Sequence, residues 1–125
     1  MIVGLGVDIV DIRRLRLALE RQGDRFVQRI FTEAEQLYCR GHRDPAPSLA
    51  ARFAAKEALF KALGTGWAQG VAWRDVEVQK DERGAPRLVL SGHAADLSKE
   101  MGTRSAHISL SHSEESAIAF VILES

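Results

Sequence analysis

The chain has 125 residues, 46% of them hydrophobic and 27% charged, with three prolines. A chain of this length buries roughly two thirds of its unfolded surface, enough for one hydrophobic core, and the composition excludes a disordered or fibrous protein. Seventeen basic and seventeen acidic side chains cancel, which argues against a nucleic-acid binder.

Residues 2–7, IVGLGV, are apolar and glycine-punctuated and read as a buried strand with Asp8 at its end. No basic segment precedes this stretch, so no secretory leader is expected. Asp11 is a candidate cap for a helix in which Ile12, Leu15 and Leu19 recur at helical spacing. Between residues 12 and 29 six arginines (13, 14, 16, 21, 25 and 29) face only Glu20 and Asp24. So basic a stretch on a neutral protein suggests an acidic partner. Gly23 and Asp24 break this helix, and a short helical piece, 25–30, follows.

Thr32 and Glu35 form a T-x-x-E capping box that starts a helix at Glu33, stopped by Gly41. Within it lies Cys39, the single cysteine; no intrachain disulfide is possible, and a reducing, cytoplasmic compartment is expected. Residues 42–47 read as a loop, and Ser48 as the cap of a helix over 49–63 that Gly64 terminates. The period then changes. Segments 71–79 and 87–90 around Gly84 predict a β-hairpin, 93–101 a short helix ended by Gly102, and 105–111 and 117–123 two further strands. The last of these is the longest apolar run and is far shorter than the roughly 20 residues of a membrane span. The expected class is α+β, one compact domain with a mostly antiparallel sheet and a long central helix.

Helix 49–63 is unlike a surface helix. On a helical wheel Leu49, Phe53, Leu59, Phe60 and Leu63 form an apolar arc, while Ala51, Ala54, Ala55, Ala58 and Ala62 cover much of the remainder. A helix apolar or small all round is buried. Yet it carries Arg52, Lys56, Glu57 and Lys61, and buried charges require partners or a cleft. One reading is a structural Glu57–Lys61 pair at i, i+4, with Arg52 and Lys56 reaching outward to water. The other is a carboxylate for a hard cation beside an ammonium for a phosphate, with Asp8 as the second acidic ligand.

Five segments bear on this choice: MIVGLGVDIVDI (1–12) followed by Arg14, FTEAE (31–35), RFAAKEA (52–58) with KALGTG (61–66), WRDVEV (73–78) and SLSH (109–112). In order and over nearly the whole chain they resemble the holo-[acyl-carrier-protein] synthase family. The resemblance implies a 4′-phosphopantetheinyl transferase-like fold. It also implies Mg²⁺-dependent transfer of phosphopantetheine from coenzyme A to a serine of apo acyl carrier protein, a step serving fatty acid biosynthesis, with release of adenosine 3′,5′-bisphosphate.

By the same resemblance Asp8 and Glu57 are metal ligands, and Asp8, Glu57 and Lys61 are catalytic. Lys61, Gly64, Thr65, Gly66, Pro86 and His107 are coenzyme residues, and Arg13, Arg14, Arg21 and Arg25 dock the acidic carrier. Arg40 and Arg43 are candidates for the 3′-phosphate, and His112 is read as support for its turn. A homotrimer with active sites at subunit interfaces is also implied. One departure is Glu114-Glu115-Ser116 before the last strand, where relatives commonly carry an aromatic. The competing classes are a non-catalytic coenzyme A or carrier-binding module and an interaction protein using only its basic helix; neither requires Asp8, Glu57 and Lys61 together.

Overall fold

The structure, a computed structural model, describes residues 1–65 and 70–125. In chain order its elements are β1 (Ile2–Asp11), α1 (Ile12–Gln22), α2 (Asp24–Ile30), α3 (Glu33–Arg40) and α4 (Ala46–Leu63). A 3-10 turn (Trp73–Asp75), β2 (Val76–Lys80), β3 (Pro86–Leu90), α5 (Gly92–Glu100), β4 (Ser105–His112) and β5 (Ser116–Glu124) follow. Every strand pairing is antiparallel. One sheet has the order β1-β5-β4 and the other is the β2-β3 hairpin, as the α+β reading requires. Among the described residues no helix is long and apolar enough to cross a membrane.

The three-stranded sheet has two unlike faces because strand side chains alternate. Gly4, Gly6 and Asp8 of β1 lie opposite Leu123, Val121 and Ala119 of β5 on the inner face. Leu5, Val7 and Ile9 lie opposite Ile122, Phe120 and Ile118 on the outer one. The inner face is covered by α4. A Cβ added at Gly6 would stand 2.0 Å from the Ala58 carbonyl oxygen, and one at Gly4 would stand 2.3 Å from that of Ala62. Glycines two apart on the strand therefore meet alanines four apart on the helix, and the two backbones touch. The outer face is left bare, with Ile9 66% and Phe120 40% exposed.

Thirteen of the eighteen α4 residues are buried, as the wheel of apolar and small side chains requires. Its ends differ in one respect. Pro45 precedes the first turn and the helix opens at Ala46, three residues early, so Ser48 is no cap; its hydroxyl instead accepts from Arg52 Nη1 at 2.9 Å. At the other end Gly64 takes the left-handed conformation (φ 78°). The Gly64 N–H donates to Lys61 O at 3.0 Å and the Thr65 N–H to Phe60 O at 3.1 Å, the paired bonds of a Schellman closure. The Asp11 cap is present, with Arg13 N–H donating to Asp11 Oδ1 at 2.9 Å, and so is the Thr32/Glu35 capping box.

The strand β1 also runs longer than expected, to Asp11, which puts Asp8 inside the strand rather than at its end. Substituting Gly6 by alanine drives a methyl group into the α4 backbone. A stability loss of about 3 kcal/mol is expected, the upper end of overpacking costs. Urea unfolding measures it.

Candidate active site

Alternation along β1 turns Asp8 to the same inner face as Gly4 and Gly6, and so toward α4. Its side chain is 14% exposed, and Oδ1 accepts from Lys61 Nζ at 3.0 Å. The same ammonium donates to the Val7 carbonyl oxygen at 3.0 Å. Lys61 is therefore paired with Asp8 across the strand–helix contact, not with Glu57 along its own helix. Glu57, one helical turn earlier, stands with Asp8 at the wall of one cavity of about 390 Å³. Asp11 and Arg14 also line it, and Phe26 and Phe53 form an apolar side.

The electrostatics agree with that geometry. The Glu57 carboxyl is pushed above its ordinary 4.5, first by burial and next by the charge of Asp8, with Lys61 opposing. Two carboxylates thus repel each other across a shared space, the arrangement that a divalent cation relieves. Among the described residues no group of three or more His, Cys, Asp or Glu side chains forms a complete cage for a metal. Two carboxylates at an open cavity suit a hard ion that keeps waters and substrate phosphates in its shell, which is the habit of Mg²⁺.

The other expected coenzyme residues divide. Gly64 and Thr65 close the helix just past Lys61, and Gly66 lies outside the described residues. Pro86 and His107 come together, but in a different cavity of about 440 Å³ shared with Arg87 and Arg104. His107 lies opposite Ile122, on the outer face of the sheet, whereas Asp8 lies opposite Ala119 on the inner face. The sheet itself separates the two within one chain. His107 Nε2 is 3.0 Å from Glu124 Oε1, and that contact holds the Glu124 carboxyl below its usual range.

Comparison with known proteins decides the family. Residues 4–121 match the model of the 4′-phosphopantetheinyl transferase superfamily. The holo-[acyl-carrier-protein] synthase of Koribacter versatilis is 48% identical over 124 residues, covering 99% of each chain. The crystal structure of the Neisseria meningitidis synthase superimposes with a TM-score of 0.92 at 35% identity over the full length of both chains. That of the Bacillus anthracis synthase, in complex with CoA (3′,5′-ADP), superimposes with 0.83 at 40% identity over 100% of this chain and 98% of that one. The chain belongs to the 4′-phosphopantetheinyl transferase superfamily. Full-length relatives within it include the holo-[acyl-carrier-protein] synthases of Koribacter versatilis, Trichlorobacter lovleyi and Maridesulfovibrio salexigens.

In this transferase Arg13, Arg14, Arg21 and Arg25 are exposed, and Arg14 borders the carboxylate cavity, so the basic face adjoins the acidic site. Arg16 is engaged instead in a forked pair with Asp44, at 2.9 and 2.6 Å. Two cations depart from the sequence reading. Lys56 does not reach to water. It is wholly buried, with Nζ 2.7 Å from Glu35 Oε1. Arg52 is 2% exposed, stacked 4.3 Å over the Tyr38 ring, and its buried Nε has no hydrogen-bond partner among the described residues. It lines a third cavity, of about 490 Å³, with His42, Lys80 and His112. The signal for both was on the wheel: they stand four apart within the arc of Leu49, Leu59, Phe60 and Leu63, opposite the alanines.

The shift of Glu57 sets a pH dependence. The folded enzyme holds this proton more tightly than the unfolded chain does. The resulting stabilisation is complete below 4.5 and is lost as pH rises through the elevated value. In chelator at neutral pH, Glu57→Gln is therefore expected to unfold a few degrees above the wild type. The gain vanishes in acid, and transfer activity is lost. Thermal melts at the two pH values check it.

Proposed function

We propose that this enzyme transfers the 4′-phosphopantetheine group of coenzyme A to a serine of an apo acyl carrier protein. The transfer releases adenosine 3′,5′-bisphosphate and serves fatty acid biosynthesis; Asp8 and Glu57 are the residues that would hold Mg²⁺ for it. The observation that carries the reading is the convergence of these two carboxylates, from distant parts of the chain, in a cavity that Arg14 also lines, with Lys61 bonded to Asp8. Bound there, Mg²⁺ would supply charge neutralisation and orientation of the coenzyme's diphosphate.

The residues of the chain do the rest. Glu57 accepts the serine proton directly or through water as the serine oxygen attacks the β-phosphorus. The bond from that phosphorus to the leaving bisphosphate breaks. Lys61 is half exposed and has donors beyond those given to Asp8 and Val7, so it steadies the phosphates and protonates the leaving group. The backbone of Gly64 and Thr65, just past Lys61, receives the coenzyme closely. Arg52 lines a cavity with Lys80, His112 and Asp44, the last already paired with Arg16, a largely basic setting for a phosphate monoester such as the 3′-phosphate of coenzyme A.

The active enzyme is a homotrimer. Two observations support this: the bare apolar outer face of the sheet, and the division of the coenzyme residues, with His107 across that sheet from Asp8 and Pro86 sharing the cavity of His107 rather than that of Asp8. Packing of copies through this face covers apolar surface that a monomer leaves in water. It also brings the His107 side of one subunit to the carboxylate side of the next. Arg13, Arg14, Arg21 and Arg25 dock the acidic carrier beside the site, so its binding weakens steeply with salt. A cytoplasmic location fits a chain whose single cysteine is a buried free thiol.

Incubation with coenzyme A, Mg²⁺ and an apo carrier tests the reaction. The carrier gains the mass of one phosphopantetheine group; chelator abolishes the gain, and Glu57→Ala slows it by about 10²-fold or more. No gain with several carriers would favour a binding module. Phe120→Asp tests the assembly, since it puts a charge on the outer face without touching Asp8, Glu57 or Lys61. The expected result in light scattering is a folded monomer without transferase activity; an active monomer contradicts the shared site.

A further inference from the structure

The pair formed by Lys56 and Glu35 has no part in the chemistry above, yet no other ion pair in the described residues is so completely enclosed. Both side chains have no exposure, and Lys56 Nζ lies 2.7 Å from Glu35 Oε1. Lys56 Nζ also donates to the carbonyl oxygens of Trp73, at 3.1 Å, and Val76. Glu35 Oε1 accepts from the Thr32 N–H at 3.0 Å and Oε2 from the Val78 N–H at 2.9 Å. One ion pair thus ties α3, α4, the Trp73 turn and β2 together with directional bonds.

Its angular position on α4 gives it a purpose. Successive residues of an α-helix are about 100° apart. From Lys56, Phe53 lies roughly 60° round the axis, Glu57 roughly 100° and Lys61 roughly 140°, while Ala58 and Ala62 lie on the far side at roughly 200° and 240°. The far side is fixed by the touching backbones at Gly6 and Gly4. The near side is fixed by Lys56. The stripe held between these two clamps is Phe53, Glu57 and Lys61, and each of its members meets the active site: Phe53 and Glu57 line the carboxylate cavity, and Lys61 binds Asp8. The turn that accepts from Lys56 also presents the Trp73 ring, which stacks on Phe53 at 5.1 Å. Apolar side chains of similar volume would hold the helix with equal stability, but they would not fix its rotation with directional bonds.

We propose that Lys56 and Glu35 are positioning residues: their buried pair sets the rotation of α4 that brings Glu57 to Asp8 and Phe53 to the wall of the same cavity. This rests on the reading that Asp8 and Glu57 share a divalent ion.

The test measures metal binding without turnover. Mn²⁺ is titrated into the full-length enzyme, and free Mn²⁺ is followed by electron paramagnetic resonance. The proteins compared are the wild type, Lys56→Met, Glu35→Gln/Lys56→Met and Glu57→Gln, with circular dichroism verifying that each is folded. The folded Lys56 variants are expected to bind Mn²⁺ about tenfold or more weakly, and folded variants within about twofold of wild type overturn the inference. A merely structural pair would lower the melting temperature and leave this affinity alone. A second readout is the cycle with Glu57: on the Lys56→Met background, Glu57→Gln costs far less affinity than on the wild type. Full additivity counts against the proposal. Should Lys56→Met fail to fold, Glu35→Gln, which keeps an amide oxygen in place, carries the same comparison. Weakened binding supports the proposal and unchanged binding overturns it. If the wild type binds no Mn²⁺, or Asp8→Ala and Glu57→Gln bind as well as it does, the shared-ion reading itself fails and takes the inference with it.

Discussion

The structure depends on one steric constraint, the direct contact between the backbones of β1 and α4. Gly4 and Gly6 have no side chains to hold the helix away, and Ala58 and Ala62 have almost none. The strand and helix therefore act as one rigid unit through the core. The next inward-facing residue of the strand, Asp8, is brought beside the helix just where Glu57 and Lys61 emerge. A larger residue at either glycine would lift the strand and with it one of the two carboxylates. Misplacement by about 1 Å is enough to cost a catalytic site orders of magnitude in rate.

The four charges of α4 show how one buried helix serves several purposes. Lys56 is solvated entirely by protein, through Glu35 and two carbonyl groups. Burial still lowers its affinity for a proton, despite the nearby carboxylate. Such a pair contributes little to stability over an apolar pair, while loss of one partner alone costs about 3–5 kcal/mol. Glu57 lines a cavity with Asp8, and Lys61, half exposed, pairs with Asp8 across the strand–helix contact. Arg52 lies between these cases, half satisfied by Ser48 and Tyr38 and bordering a cavity that Lys80 and Asp44 also line.

Much of this was legible in the sequence. Element order, the capping box at Thr32, the closure at Gly64 and the burial of α4 follow from spacing and local chemistry, because each is decided within a turn or two of helix. The identity of the Lys61 partner was not legible. Local spacing favours Glu57 at i−4, whereas the fold supplies Asp8, fifty-three residues away, through a backbone approach that periodicity does not encode. For the same reason Glu35 reads from sequence as a capping-box residue and nothing more. Its second oxygen reaches Val78, and its first reaches Lys56, only once α3 is docked on the hairpin. The separation of His107 from Asp8 is likewise invisible without the strand register, since pairing decides which face each residue takes.

The central claim is that Asp8 and Glu57 grip a single divalent ion. Anomalous diffraction from crystals of the enzyme grown with Mn²⁺ and coenzyme A measures it directly. The predicted result is one strong peak per active site, within coordination distance of an oxygen of each carboxylate. A peak bound by one of them alone, or a site occupied by coenzyme with no peak between the two, would contradict it.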